Sequence, residues 1–268
     1  MCLWIRVNDF IFGEILMQKI AIQELLEREY LKVNTPHPFS EGILLSNIES
    51  ILGEYYFMSQ YFPFIQSCAH TSIVKSCLVN RVPIPKNIEK TSVVGAFLSW
   101  DELGGHHKIS KYGISALPSI LDSNGFHSNI LKKDITEKLN LSLPDRFSEE
   151  TGEYLERLLE RLGSNCIHER IANMVAFEIN ASYMITALYD SLKSLFKKEA
   201  QLLTYFEIHV GGDDPAEPYH MDMTSRLVDD SLNDLHSLND FLDKFNSACL
   251  FHSKWMRSIK SNLKNNVA

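Results

Sequence analysis

A chain of 268 residues is long enough to bury a full core within one domain. Its 45% hydrophobic and 22% charged residues are ordinary globular composition, and only 12 Gly and 9 Pro argue against a many-turned β sandwich. The net charge of −8 excludes the broad basic surface that nucleic-acid binding requires.

The N-terminal stretch MCLWIRVNDFIFGEILM is apolar in places but is interrupted by Arg6, Asp9 and Glu14. No small-residue cleavage site follows, so no signal peptide is expected. No apolar run approaches the length of a membrane span, and a soluble protein without membrane contact is expected. Beyond it the apolar pattern is helical nearly throughout. Residues 13–32 read as a first helix, with Ile15, Leu16, Ile20, Ile22, Leu25 and Leu26 recurring at three- and four-residue steps. The turn Asn34–Pro38 ends it, a second helix runs from about Glu41 to Tyr61, and Pro63 starts a third that ends near Leu78. A loop around Pro83 and Pro85 follows. Thr91 is then the expected N-cap of a helix carrying VVGAFLSWDELGG, which kinks or ends at Gly104–Gly105 before a further helical stretch to about Leu121.

After the weakly patterned GFHSNILKKD, a short helix is expected near 130–139. Ser148 precedes the amphipathic EETGEYLERLLERLG, which Gly163 stops. Residues 166–196 form the longest and most apolar helix, 199–210 the next, and about 219–263 a long acidic one. No repeat, low-complexity tract or linker divides the chain, so a single all-α domain is expected. Five scattered cysteines (Cys2, Cys68, Cys77, Cys166 and Cys249), never in a CxxC, fit reduced thiols of a cytoplasmic protein.

Three stretches carry residues suited to chemistry. In Trp100-Asp101-Glu102-Leu103-Gly104-Gly105-His106-His107, Glu102 and His106 are four apart, so one helical face can offer both to one ion. His107 points elsewhere unless the glycines break the helix. Glu178 lies inside the most apolar helix, where a carboxylate costs several kcal/mol unless it is paired or metal-bound; a buried cation or a wet stripe with Asn173 and Asn180 is the plainer account. In Glu207-Ile-His209-Val-Gly-Gly-Asp213-Asp214-Pro-Ala-Glu217-Pro-Tyr-His220, the residues His209, Asp213 and His220 fall within about 40° on an ideal helix, although two Gly and two Pro interrupt it. Carboxylates neutralise and bridge metal ions and imidazoles add nitrogen ligands, so inward Asp, Glu and His from several helices are what a di-metal bundle needs. The ferritin-like pattern wants two Glu-x-x-His pairs, and Glu217-Pro-Tyr-His220 is the single one here. His127 and His168 could support metal ligands from behind but read more simply as surface or capped histidines, the aromatic run from Tyr55 to Phe64 as core rather than a radical or substrate box, and KKDITEK (132–138) as a solvated face.

The order of these pieces resembles the haem-oxygenase-like di-iron oxidases and oxygenases. The matching stretches are LGEYYFMSQYFPFIQ (52–66), DELGGHH, the Glu178 helix, and YFEIHVGGDD leading to His220, together spanning roughly residues 40–228. The resemblance implies a haem-oxygenase-like bundle of about seven or more helices. It implies two irons per chain held by Glu102, His106 (or His107), Glu178, His209, Asp213 (or Asp214, with Glu217) and His220, with Glu102 or Glu178 bridging. The last ligand pattern departs from the family at Ala216, where a His is due, and His220 takes its place only if PAEP is an insertion or unwound. The implied activity is activation of O2 to oxidise a small amino-acid-like or fatty-acid-like substrate, and the resemblance admits a homodimer. Two other readings stand beside it: a metal-free enzyme of the same fold, or a helical interaction protein that docks a basic surface through Asp229, Asp230, Asp234, Asp240 and Asp243.

Overall fold

The computed structural model describes residues 22–40, 43–212, 216–232 and 235–261, and among these there are helices and no strands. We label the α-helices α1 (22–33), α2 (Leu45–Cys68), α3 (Thr71–Asn80), α4 (Lys86–Glu102), α5 (Gly105–Tyr112), α6 (His127–Lys133), α7 (Glu149–Leu162), α8 (Ile167–Phe196), α9 (Thr204–Val210), α10 (Glu217–Ser231) and α11 (Leu235–Ser261). Short 3-10 turns at Ile114–Leu121 and Glu199–Leu202, and a π-helical turn at Asp134–Lys138, connect them.

Helix α8 is the axis of the fold. It packs against α11, α10, α7 and α9, and α2 lies across α4, α6 and α7. By length and composition α8 is apolar enough to cross a membrane, which the sequence pattern did not suggest; 72% of its apolar window is buried inside the protein, the burial of a core helix. Asn173 and Asn180 on α8 are both fully covered, so no wet stripe runs beside Glu178. Phe62 of α2 stacks on Phe177 of α8 with centroids 3.9 Å apart, and one main apolar cluster joins α1, α2, α4, α7, α8 and α11.

Several boundaries differ from the sequence expectation for local reasons. Pro63 does not begin a helix but lies inside α2, where its own carbonyl accepts from Ser67 Oγ (2.8 Å) and Ser99 Oγ (2.7 Å). Thr91 is not a cap: α4 starts at Lys86 after Pro85, and Thr91 Oγ1 bonds the Asn87 carbonyl and His70 Nε2 from a buried position. The expected 219–263 helix is two, broken after Ser231. In KKDITEK, Asp134 and Ile135 are buried rather than solvated. Cys68, Cys77, Cys166 and Cys249 are free thiols, and Cys2 lies outside the described residues.

A candidate metal centre at the end of helix α4

Helix α4 ends at Glu102 because Gly104 takes φ +72°, a conformation that costs a glycine little. The chain turns there and restarts as α5, so Glu102 and His106 are not on one helical face, and the expectation of a shared face from i,i+4 spacing is corrected. Glu102 faces His127 at the start of α6, with its Oε2 3.4 Å from His127 Nδ1. His209 of α9 completes a triangle in which one ligand-competent atom of each of Glu102, His127 and His209 lies within 4.8 Å of the others. The two imidazoles meet edge to face at 4.9 Å.

The chemistry of His209 follows from its hydrogen bond. Nδ1 lies 2.7 Å from the Tyr205 carbonyl oxygen, which can only accept, so Nδ1 carries the proton and Nε2 keeps its lone pair. That Nε2 is buried and has no hydrogen-bond partner. Burial, followed by the charge of His127, pushes His209 down to about 4, against the pull of Glu102. For Glu102 burial works to raise the carboxyl, but His127, His209 and His220 together outweigh it and hold it below the usual carboxylate range.

A second set of the same residue types adjoins the first through the Asp101–Glu102 peptide. Asp101 is fully buried and accepts from two rings: its Oδ1 lies 2.9 Å from His106 Nδ1 and its Oδ2 2.8 Å from His220 Nε2. Burial alone would raise Asp101; its bond to His220 and the nearby imidazoles overcome that and lower it. His220 turns its other nitrogen to Glu178, with Nδ1 3.2 Å from Oε2, while Glu178 Oε1 is buried without a partner. Glu178 is therefore paired with an imidazole rather than with a buried Arg or Lys. Phe97 packs on both His106 and His220, and Trp100 on His106.

Of the six residues singled out by sequence, Glu102 and His209 join one set, and His106, Glu178 and His220 join the other. His107 is exposed on α5. Asp213 and Asp214 lie outside the described residues, as does the Glu217 side chain. Sequence reasoning missed Asp101, overshadowed by the adjacent Glu102, and misjudged His127, which is 2% exposed rather than a surface histidine. The one available signal for His127 was an imidazole directly ahead of the amphipathic Ile130–Leu131 stretch. His168 is held by Asp240 at 2.6 Å, away from both sets.

Beside Glu102 a cavity of about 30 Å³ is walled by Tyr55, Phe62, Phe177, Met184 and Tyr205, among others. Tyr55 and Tyr205 share a 2.7 Å hydroxyl–hydroxyl hydrogen bond at its edge.

Fold and site together describe an all-α protein with a buried carboxylate–histidine centre where four or more helical elements meet. No family model matches the chain and no curated protein sequence does either. Among solved structures the chain is similar to a CadD-like protein of unknown function from Nostoc punctiforme PCC 73102, seen in two crystal structures. The 2.00 Å structure gives a TM-score of 0.65 at 13% identity, over 92% of this chain and 98% of that one. The 1.35 Å structure gives 0.64 at 12%, over 94% and 98%. At that identity the likeness is one of fold: the helices of this chain are arranged as in a CadD-like protein.

Proposed function

We propose that the chain is a non-haem di-iron oxidoreductase of the haem-oxygenase-like class, which uses O2 to oxidise a small organic substrate, amino-acid-like or fatty-acid-like. The observation that carries this reading is the convergence of Glu102, His127 and His209 within 4.8 Å. Two imidazoles and one carboxylate are the set that non-haem iron takes while keeping positions open for other ligands. The residues present fit metal ions, because a buried His209 Nε2 and a buried Glu178 Oε1 without partners are costly unless something binds them.

Glu102, His127 and His209 would hold one ion. Asp101, Glu178 and His220, with His106 beside them, would hold the second, and there an ion would replace one of the hydrogen bonds that His220 makes. Bound iron would supply the O2 and redox chemistry. The chain's own residues do the rest. Tyr205 fixes the His209 tautomer through its carbonyl, and Asp101 orients the His106 and His220 rings. Phe97, Trp100 and Phe177 keep bulk water away, and the cavity beside Glu102 has room for a molecule about the size of O2.

The test is anaerobic reconstitution with Fe(II), a count of bound iron, and a visible spectrum on adding O2. About two irons per chain, an O2-dependent spectral change, and loss of one iron in His127→Ala support the reading. A folded protein that binds no iron above background overturns it. That outcome favours a metal-free enzyme built on the His106–Asp101–His220–Glu178 chain of hydrogen bonds.

A further inference from the structure

Helix α9 is seven residues long, follows a 3-10 turn, and ends at Gly211 with Gly212 at φ +82°. A helix of that length does not hold itself, and its N-cap, Leu203, has no side-chain acceptor to offer the first amides. An acceptor arrives from elsewhere. Asp134, fully buried in the π-helical turn that continues α6, places Oδ2 2.7 Å from the Tyr205 amide nitrogen, which donates to it. Its other oxygen lies 2.7 Å from Lys138 Nζ. Lys138 also donates to the Leu202 carbonyl and, at 2.6 Å, to Thr204 Oγ1, so its ammonium ties the turn before α9 to the Asp134 carboxylate by two hydrogen bonds and an ion pair.

Tyr205 is thus gripped at both ends of its peptide geometry: its N–H by Asp134, and its C=O by the His209 ring. We propose that Asp134 is a positioning residue which, by capping α9 at Tyr205, fixes the tautomer and direction of His209. The same helical element carries His127 seven residues earlier, so one element presents one member of the Glu102–His127–His209 set and sets the aim of another. A π-turn is a costly local geometry that recurs at functional sites, and here it turns the Asp134 carboxylate toward α9. This inference deepens the metal-site reading and rests on it only for the ligand role of His209.

The experiment uses full-length, metal-free protein and two substitutions, Asp134→Asn and Asp134→Ala. The His209 ring nitrogens are read by 15N NMR and the α9 amides by hydrogen exchange. Hydrogen bonds to charged groups are about twice as strong as neutral ones. Amides of α9 are therefore expected to exchange roughly 3- to 10-fold faster in Asp134→Asn and about 10- to 100-fold faster in Asp134→Ala, relative to α8. The His209 signals should move from one Nδ1–H tautomer toward a mixture in the same order. If Asp134→Ala fails to fold, Asp134→Asn alone decides. Wild-type exchange and a wild-type tautomer in the folded variants overturn the proposal.

Titration with Co(II), read by its visible absorption, then separates the two claims. Binding weakened about 10- to 100-fold in Asp134→Ala extends the positioning role to the metal. If wild type binds no Co(II) while exchange and tautomer respond as expected, the metal reading falls and the positioning role stands.

Discussion

Gly104 separates two residues that a continuous helix would have placed on one face. A Cβ there would sit 2.3 Å from the Gly125 carbonyl oxygen, and the backbone is already at φ +72°. Gly104→Ala is therefore expected to destabilise the fold by about 2 kcal/mol or more, seen as a lower urea midpoint, and to loosen the His106–Asp101 hydrogen bond. Asp101 makes a second residue-scale prediction. Both of its oxygens accept from ring nitrogens, and an amide has one acceptor where the carboxylate has two. Asp101→Asn should leave one of these two ring nitrogens without its acceptor and cost about 1–3 kcal/mol of stability, with the loss smaller in an added His106→Ala background. Such residues were partly legible in the sequence. Glu178 stood out because a carboxylate in an apolar helix needs a partner, and His209 and His220 because they bracket a broken helix. Asp101 and His127 did not stand out, because their roles arise from a chain reversal at Gly104 and from α6 packing onto α9, and neither leaves a mark in local spacing.

At the scale of elements, the helices with unambiguous end signals are the ones the sequence placed well. Ser148 begins α7 as read, and its Oγ both accepts from the Thr151 amide at 3.3 Å and donates to Glu54 Oε2 at 2.9 Å. Ser148→Ala removes an N-cap and a bond to a buried carboxylate together. It should lower stability by about 1–2 kcal/mol, checked by chemical denaturation, and a Ser148→Thr protein should recover most of the loss. Helix α8 was found within a residue of its ends because its apolar run is long and continuous. Pro63 misled because proline's cost was met by tertiary structure: α2 continues through it with its flank pinned to Ser99 on α4. The acidic C-terminal segment was read as one helix because its charge pattern hardly changes across the break. Several of its acidic residues are engaged within the chain, among them Asp222 with Arg226 at 3.0 Å, Asp230 with Lys90 at 2.5 Å and Asp240 with His168 and Lys244. A basic partner would have to compete with those pairs.

Across the whole molecule, burial of neutral histidine sets how stability depends on pH. Burial pushes His37 and His209 down to about 4 and His252 to about 3, and it lowers His70 as well. Each ring is neutral in the folded protein, while in the unfolded chain it takes up a proton near the ordinary value of about 6.5. Between those values the unfolded state binds more protons than the folded state, so stability is full above about pH 6.5 and falls as the pH drops toward 4. The lowered Asp101 and Glu102 act in the same direction but only further down, because they withdraw their contribution below the usual carboxylate range. The acid limb that begins near pH 6.5 therefore belongs to the histidines. His252 is the cleanest contributor, fully covered in the α7–α11 interface with Nδ1 2.9 Å from the Tyr154 hydroxyl, and it alone is worth on the order of 3 kcal/mol between pH 6.5 and 4. Melting temperatures of the metal-free protein should thus decline steadily over that range, and His252→Gln, which keeps a polar partner for Tyr154, should flatten the decline at some cost in stability at pH 7. A wild-type profile that stays level from pH 6.5 to 4 would mean that these rings are solvated and free to take up protons in the folded protein, which overturns their role in the acid limb.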